Sequence, residues 1–328
     1  MNQSQKLFFS LLRAALFEEK IDASKFVETD WKRIFHLSDI QTVSSLVLDG
    51  IGMLPPSVLK MPLDKKMILF AKMQRMEQIN TLHRCVIVKI DKALKAEGIQ
   101  AVFMKGQTVA LRYPNPLHRT PGDIDFVVAL KDFERTMAVM EKIGKVDHGL
   151  VHEHHGMVWV DGVTVEPHYK VHNYQRPSTD QAMQEMFSSV FPSELSSADI
   201  DGYEVSVFSP TFESVFLISH MVNHVYEEGL GLRQVIDYAM FLHHCADKID
   251  WMLHHEWLYR MRMERAWRIF TCICVDYLGL PLPLQVEPFS YNERKWAAAL
   301  VEDIMRVGNF GRGEYVFKHQ GVMDAWKN

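Results

Sequence analysis

Two aspartates one residue apart, Asp123 and Asp125 in Gly-Asp-Ile-Asp-Phe-Val-Val, carry the clearest chemistry in this chain. Side chains alternate across a strand, so both carboxylates project from one face while Ile124 turns the other way, into the core. Held a few ångströms apart, they stay ionised together only when a cation offsets their repulsion, and hard oxygen ligands of this kind suit Mg²⁺ or Mn²⁺. Without a cation, two charges would sit badly at the head of a strand made of Phe126, Val127 and Val128. An isolated Asp-x-Asp is common where a loop enters a strand, so the neighbourhood decides. Lys105-Gly106-Gln107-Thr108 ends one strand and opens a helix, where a glycine lets the backbone approach a phosphate and Lys105 supplies positive charge. Arg119-Thr120-Pro121-Gly122 delivers a second cation just ahead of the acid pair.

A third acid is expected on a neighbouring strand. Glu166 is the first candidate because it interrupts the core-like run that begins Val163-Thr164-Val165, and Asp161 is the reserve; a strand-end acid facing water is the plainer alternative for Glu166. Further on, His220 and His224 stand four apart on one helix face, as do Arg233 and Asp237. Either these helices close over a ligand, with Arg233 near phosphate and the histidines on the acceptor side, or they form a polar face stabilised by local pairs. His152-Glu153-His154-His155 invites a zinc reading, but a third ligand at a recognisable spacing is missing, and a loop touching substrate fits better. The methionines at helical spacing read as core filler.

These residues must be held by three kinds of segment. Apolar residues recur every three to four positions from about residue 4 to 97, as in Phe8, Leu11, Leu12, Ala15 and Leu16, which predicts helices punctuated near Gly50 to Pro56. The pattern then shifts to short apolar runs, at 100–104, 123–130, 156–160 and 163–168, that read as strands. Between them lie a short helix around 107–113 and an amphipathic one over 132–143, whose Phe133, Met137, Met140 and Ile143 share a face. The stretch 175–201 is polar and reads as an irregular connection; Tyr203 to Phe208 is strand-like, and helices follow from Thr211 to Leu278. The expected architecture is α+β: a helical N-terminal region (1–97), a sheet-containing core (98–208) and a helical C-terminal region (209–328).

A formal charge of -5 and a pI near 6.3 argue against coating duplex nucleic acid, which needs a broad surplus of Lys and Arg. No early segment has the apolar run of a membrane span, and the opening residues read as an amphipathic helix. The cysteines, Cys85, Cys245, Cys272 and Cys274, show neither zinc nor disulfide spacing, and a reducing, cytoplasmic setting is the expectation.

Taken together, Phe-Met-Lys-Gly, Arg-Thr-Pro-Gly-Asp-Ile-Asp-Phe-Val-Val and Val-Glu-Pro-His resemble the polymerase-β-type nucleotidyltransferase superfamily, in particular a bacterial branch labelled nucleotidyltransferase family protein. The likeness is sharp over about residues 100–170 and continues more weakly to residue 238. It implies a minimal nucleotidyltransferase fold, a small mixed sheet with helices, and a three-carboxylate site for a divalent metal and a nucleoside triphosphate such as ATP. On the motif, Asp123, Asp125 and Glu166 become the catalytic and metal-holding acids, and Gly106 the glycine of the helix-opening turn. Lys105, Gly106, Gln107, Arg119 and Arg233 are the expected nucleotide-binding residues. At the turn this chain has Gly106-Gln107 where most of the superfamily has Gly-Gly or Gly-Ser, and Gly106 lies further from Asp123 than is usual. The expected reaction moves a nucleoside monophosphate to a hydroxyl of a small-molecule or protein acceptor, releasing pyrophosphate; long nucleic acid and membrane are not expected partners. The rival readings are a catalytically degenerate nucleotide-binding or regulatory module of the same fold, and a helical interaction scaffold whose acid pair only solvates a surface.

Overall fold

The structure, a computed structural model, describes residues 1–59, 61–147, 156–172, 174, 176–227 and 229–311. Three helices open the chain, α1 (Gln3–Phe17), α2 (Trp31–Ile40) and α3 (Ser44–Gly52), followed by the 34-residue α4 (Leu63–Ala96). The mixed region runs β1 (Val102–Met104), α5 (Gly106–Ala110), β2 (Ile124–Val127), α6 (Phe133–Ile143), β3 (Lys145–Val146), β4 (Val158–Val160) and β5 (Val163–His168). It continues through α7 (Pro177–Val190), β6 (Leu195–Ile200) and β7 (Tyr203–Phe208). Helices α8 (Pro210–Glu227), α9 (Leu232–Cys245), α10 (Trp251–Met261), α11 (Glu264–Asp276) and α12 (Tyr291–Val307) complete it. The chain is α+β, as the patterning predicted.

The described strands form one mixed sheet in the order β3-β4-β5-β2-β1-β7-β6. Two of its hairpins turn on Asp-Gly pairs, Asp161-Gly162 and Asp201-Gly202, with both residues at positive φ, as a two-residue turn between twisted strands requires. The centre of the sheet sets the register that matters. β1 runs antiparallel to β2 and pairs Met104 with Asp125; β5 runs parallel to β2 and pairs Asp125 with Glu166. Register partners on adjacent strands point to the same face, so the two acids emerge side by side.

Each face of the sheet is covered. Phe103, Ile124, Phe126, Val128, Val163 and Val165 pack on one side against Val86, Ile87 and Ile90 of α4 and against α6. Val102, Met104, Val127 and Phe208 face the other way, into a larger core shared by α1–α3 and α8–α12. The helices before and after the sheet are thus interlocked: Arg13 of α1 donates to the Asp276 and Tyr277 carbonyls, and Gln41 donates to the Ile304 carbonyl. Within the described residues no helix is long and apolar enough to cross a membrane.

From residue 176 to 201 the polar stretch forms a helix and a strand where an irregular connection was expected. Pro177 opens α7, whose Ala182, Met183, Met186, Phe187 and Val190 form a buried stripe at helical spacing. Its serines, glutamines and acids occupy the opposite face and mask the period. β6 follows as the edge strand, half exposed, which is why its Ser196, Ser197 and Asp199 read as loop.

Candidate active site

The open end of the sheet and the face of α8 enclose a cavity of ≈ 370 Å³. Asp123, Asp125 and Glu166 line its sheet side, and Lys105 and Arg233 line it as well. Asp125 is 4% exposed and sits at the head of β2, where Lys105 Nζ approaches its Oδ1 to 3.1 Å and His168 Nε2 to 3.0 Å. His168 Nε2 also lies 3.7 Å from Glu166 Oε2. Burial alone would raise the Asp125 pKa, but the Lys105 ammonium and the His168 hydrogen bond outweigh it and hold this carboxyl well below the usual carboxylate range. Asp123, one residue before the strand and exposed, is pushed upward, first by the charge of Asp125 and then by desolvation. Burial works against the charge on Lys105, yet Asp125, Asp123 and Glu166 together raise its pKa, keeping it cationic.

Lys105 reaches this place through an unusual backbone. Its φ of 54° and ψ of -151° belong to a region that side-chain-bearing residues rarely adopt, at a cost on the order of 1–3 kcal/mol. The turn thereby directs the ammonium back across the head of β2, and Gly106 stands against the Asp123 carbonyl, where a Cβ would come to 3.6 Å. The loop carrying Asp123 is fixed from below by α4: Asn80 Nδ2 donates to the carbonyls of Leu117 and Arg119, and His83 Nε2 bonds the Gly122 carbonyl at 2.8 Å.

Two expected phosphate contacts are employed elsewhere. Arg119 is 5% exposed and grips Asp237 with Nε and Nη2, both at 2.8 Å, while Tyr113 donates to the same carboxylate at 2.6 Å. Its guanidinium therefore borders the cavity as part of a closed ion pair. Gln107 turns its side chain into the protein, donating to Asn80 Oδ1 at 2.6 Å and accepting from Arg84, so only its backbone remains for a ligand. The i,i+4 pairing of Arg233 with Asp237 is likewise replaced by the long-range one with Arg119. Asp161, the reserve acid, lies in the β4–β5 hairpin, paired with Lys89 and away from the cavity. His152, His154 and His155 lie outside the described residues.

His168 is the residue the sequence reading passed over. It shares a strand face with Glu166, two positions away, and the period-2 rule that joined Asp123 to Asp125 applies equally to Glu166 and His168. Among the described residues, ligand atoms of Asp125, Glu166 and His168 lie within 4.8 Å of one another, a set able to hold a metal ion.

Residues 27–279 match the family described as uncharacterised nucleotidyltransferase. The chain belongs to that family. No curated protein matches the sequence. Solved structures similar to this nucleotidyltransferase include the antibiotic-resistance factor ANT(2'')-Ia in solution, at 14% identity over 55% of this chain and 94% of that one, TM-score 0.41. A crystal structure of ANT(2'')-Ia with adenylyl-2''-tobramycin aligns at 14% identity over 55% and 98%, TM-score 0.39. An antigenic nucleotidyltransferase-like protein from Paracoccidioides brasiliensis aligns at 12% identity over 59% and 92%, TM-score 0.31.

Proposed function

We propose that this nucleotidyltransferase moves a nucleoside monophosphate from a nucleoside triphosphate to a hydroxyl group of a small molecule or protein, with Mg²⁺ or Mn²⁺ bound and pyrophosphate released. The observation that carries the reading is the convergence of Asp123, Asp125 and Glu166 with Lys105 and Arg233 on one cavity whose ≈ 370 Å³ falls in the range of small-ligand sites.

The acids suit a divalent cation. Asp123 is raised by the charge of Asp125, a repulsion that a cation between them relieves, and Asp125 and Glu166 present oxygen ligands from adjacent strands. Asp123, Asp125 and Glu166 would hold the ion, and the imidazole of His168 beside them favours Mn²⁺ more than it favours Mg²⁺. When bound, the cation neutralises phosphate oxygens and acidifies the acceptor hydroxyl. Lys105 and Arg233 supply fixed positive charge to the triphosphate, and Gly106, without a side chain, leaves room beside Asp123. In the transfer, a bond forms between the acceptor oxygen and the α-phosphorus as the bond to pyrophosphate breaks, and the hydroxyl proton passes to solvent. The chain's contribution is chiefly positioning and electrostatic stabilisation, as expected for phosphoryl chemistry.

Thermal unfolding with each of the four nucleoside triphosphates, with and without Mg²⁺ or Mn²⁺, tests the site. A metal-dependent rise in Tm is expected in the parent and its loss in the Asp123→Ala, Asp125→Ala double variant. Pyrophosphate release then tests the reaction. Nucleotide binding with no release by the parent toward any acceptor or water would leave a binding module in place of an enzyme.

A further inference from the structure

Opposite the acids, the cavity is walled by α8 and α9, and this wall is rich in donors and positive charge. His220, Asn223 and His224 present one face of α8 to the cavity. The two imidazoles touch, Nε2 to Nε2 at 3.0 Å, so one donates to the other. A continuous row of rings joins them to the two cations. Lys105 Nζ lies 5.9 Å from the Phe216 ring, which stacks on His220; His224 packs edge-on against Phe310, and the Arg233 guanidinium lies 5.8 Å from that same ring. Asn223 Nδ2 and Arg233 Nε are buried and have no hydrogen-bond partner among the described residues. Both are donors, and a buried donor without an acceptor costs about 1–3 kcal/mol. Among the described residues these two helices bring two acids to the cavity, Glu227 of α8 and Asp237 of α9, and the second is already held by Arg119 and Tyr113. A ligand meeting this wall must therefore bring acceptor oxygens and negative charge.

We propose that His220, Asn223 and His224 join Lys105 and Arg233 to cradle the polyphosphate of the nucleotide, and that the imidazole pair takes up a proton from solvent as the polyphosphate binds. This rests on the nucleotidyltransferase reading above and assigns the α8 histidines to the donor's phosphates in place of the acceptor side. The groups facing the pair explain the coupling. Burial, then Lys105, His224, His172 and Arg233 push His220 well below its usual range; burial, Lys105 and Arg233 bring His224 down to about 4, with Asp125 pulling it weakly upward. Burial and the nearby Lys105 and Arg233 thus favour the neutral form of both rings. A polyphosphate reverses the local field, and a proton on the pair then becomes favourable.

Isothermal titration of the full chain with MgATP, and with Mg²⁺ and inorganic triphosphate as a base-free probe, in two buffers of very different ionisation enthalpy, counts the protons. The parent is expected to take up on the order of one proton beyond the ligand's own titration, and affinity to tighten by up to about tenfold per pH unit from pH 8 to 6. In a His220→Gln, His224→Gln double variant the extra uptake vanishes and affinity falls roughly tenfold or more. Asn223→Asp replaces one donor by an acceptor of similar shape and is expected to weaken both probes roughly 10- to 100-fold; it stays readable if the double variant does not fold. Equal proton counts and equal affinities in parent and variants overturn this inference alone. No binding of either probe by the parent, with any metal, overturns the nucleotide reading and this inference with it.

Discussion

On the sheet side of the cavity charge is compensated within the wall: Asp125 is bracketed by Lys105 and His168, and Glu166 lies beside the same imidazole. On the helix side Arg233 and Asn223 keep buried donors without partners among the described residues, and two imidazoles are held neutral between cations. In the first wall Asp125 is already paired and a cation has only the repulsion from Asp123 left to relieve, while in the second wall buried donors await a ligand's acceptors. Changes at Asp125 should therefore cost folding and activity together, and changes at the ligand-facing donors Asn223 and Arg233 should cost binding with little loss of fold.

The largest expected effect is at Asp125. Asp125→Asn should lower transfer by at least about 10³-fold in a pyrophosphate-release assay. Asp125→Ala should in addition lose up to roughly 3–5 kcal/mol in urea unfolding, because the buried Lys105 loses the carboxylate it is bonded to; full stability in that variant would break the contrast between the walls. Asp237→Ala, which strands the buried Arg119, should also cost about 3–5 kcal/mol. On the helix wall Arg233→Met should weaken nucleotide binding roughly 10- to 100-fold in titration calorimetry while leaving stability nearly unchanged; a large drop in Tm would show that Arg233 is structural instead.

Acid titration sharpens the comparison. His254, bonded to Ser214 in the core, is brought down to about 3 by burial and then by His255, and His224 to about 4. An unfolded chain protonates both below about 6.5. Their contribution to stability is complete above that pH and is lost as pH falls, at up to roughly 1.4 kcal/mol per unit for each ring, down to their folded values. Urea unfolding across this window should show the loss in the parent and less of it in His254→Gln. Saturating polyphosphate should flatten the share of His224 and leave that of His254 intact. The smallest effect lies in the backbone at Lys105: Lys105→Gly should be more stable than Lys105→Ala by about 1 kcal/mol, since only glycine occupies that conformation without strain.

The strands that carry the acids were legible because apolar runs broke the helical period where Asp123, Asp125 and Glu166 occur, and period 2 fixed which side chains share a face. Helix α7 and strand β6 were hidden by composition, the first by a polar outer face and the second by its place at the sheet edge. The side-chain partners of Arg119 and Gln107 were hidden for another reason. These partners, Asp237 and Asn80, are 118 and 27 residues away. A cation near an acid motif carries no mark of which distant carboxylate will claim it. His168 was legible in principle, through its spacing from Glu166.

The clasp of Arg119 and Tyr113 on Asp237 has a mechanical meaning. Arg119 begins the loop that ends at Asp123, and Asp237 sits one helical turn beyond Arg233 on α9. A bidentate, buried bond of this kind works as a strut between the two sides of the cavity, and it exists before any ligand arrives. The span from carboxylates to cations is thus set in advance, like the jaws of a locked caliper. Binding need not draw the walls together, and a polyphosphate of the wrong length is measured against a fixed gap.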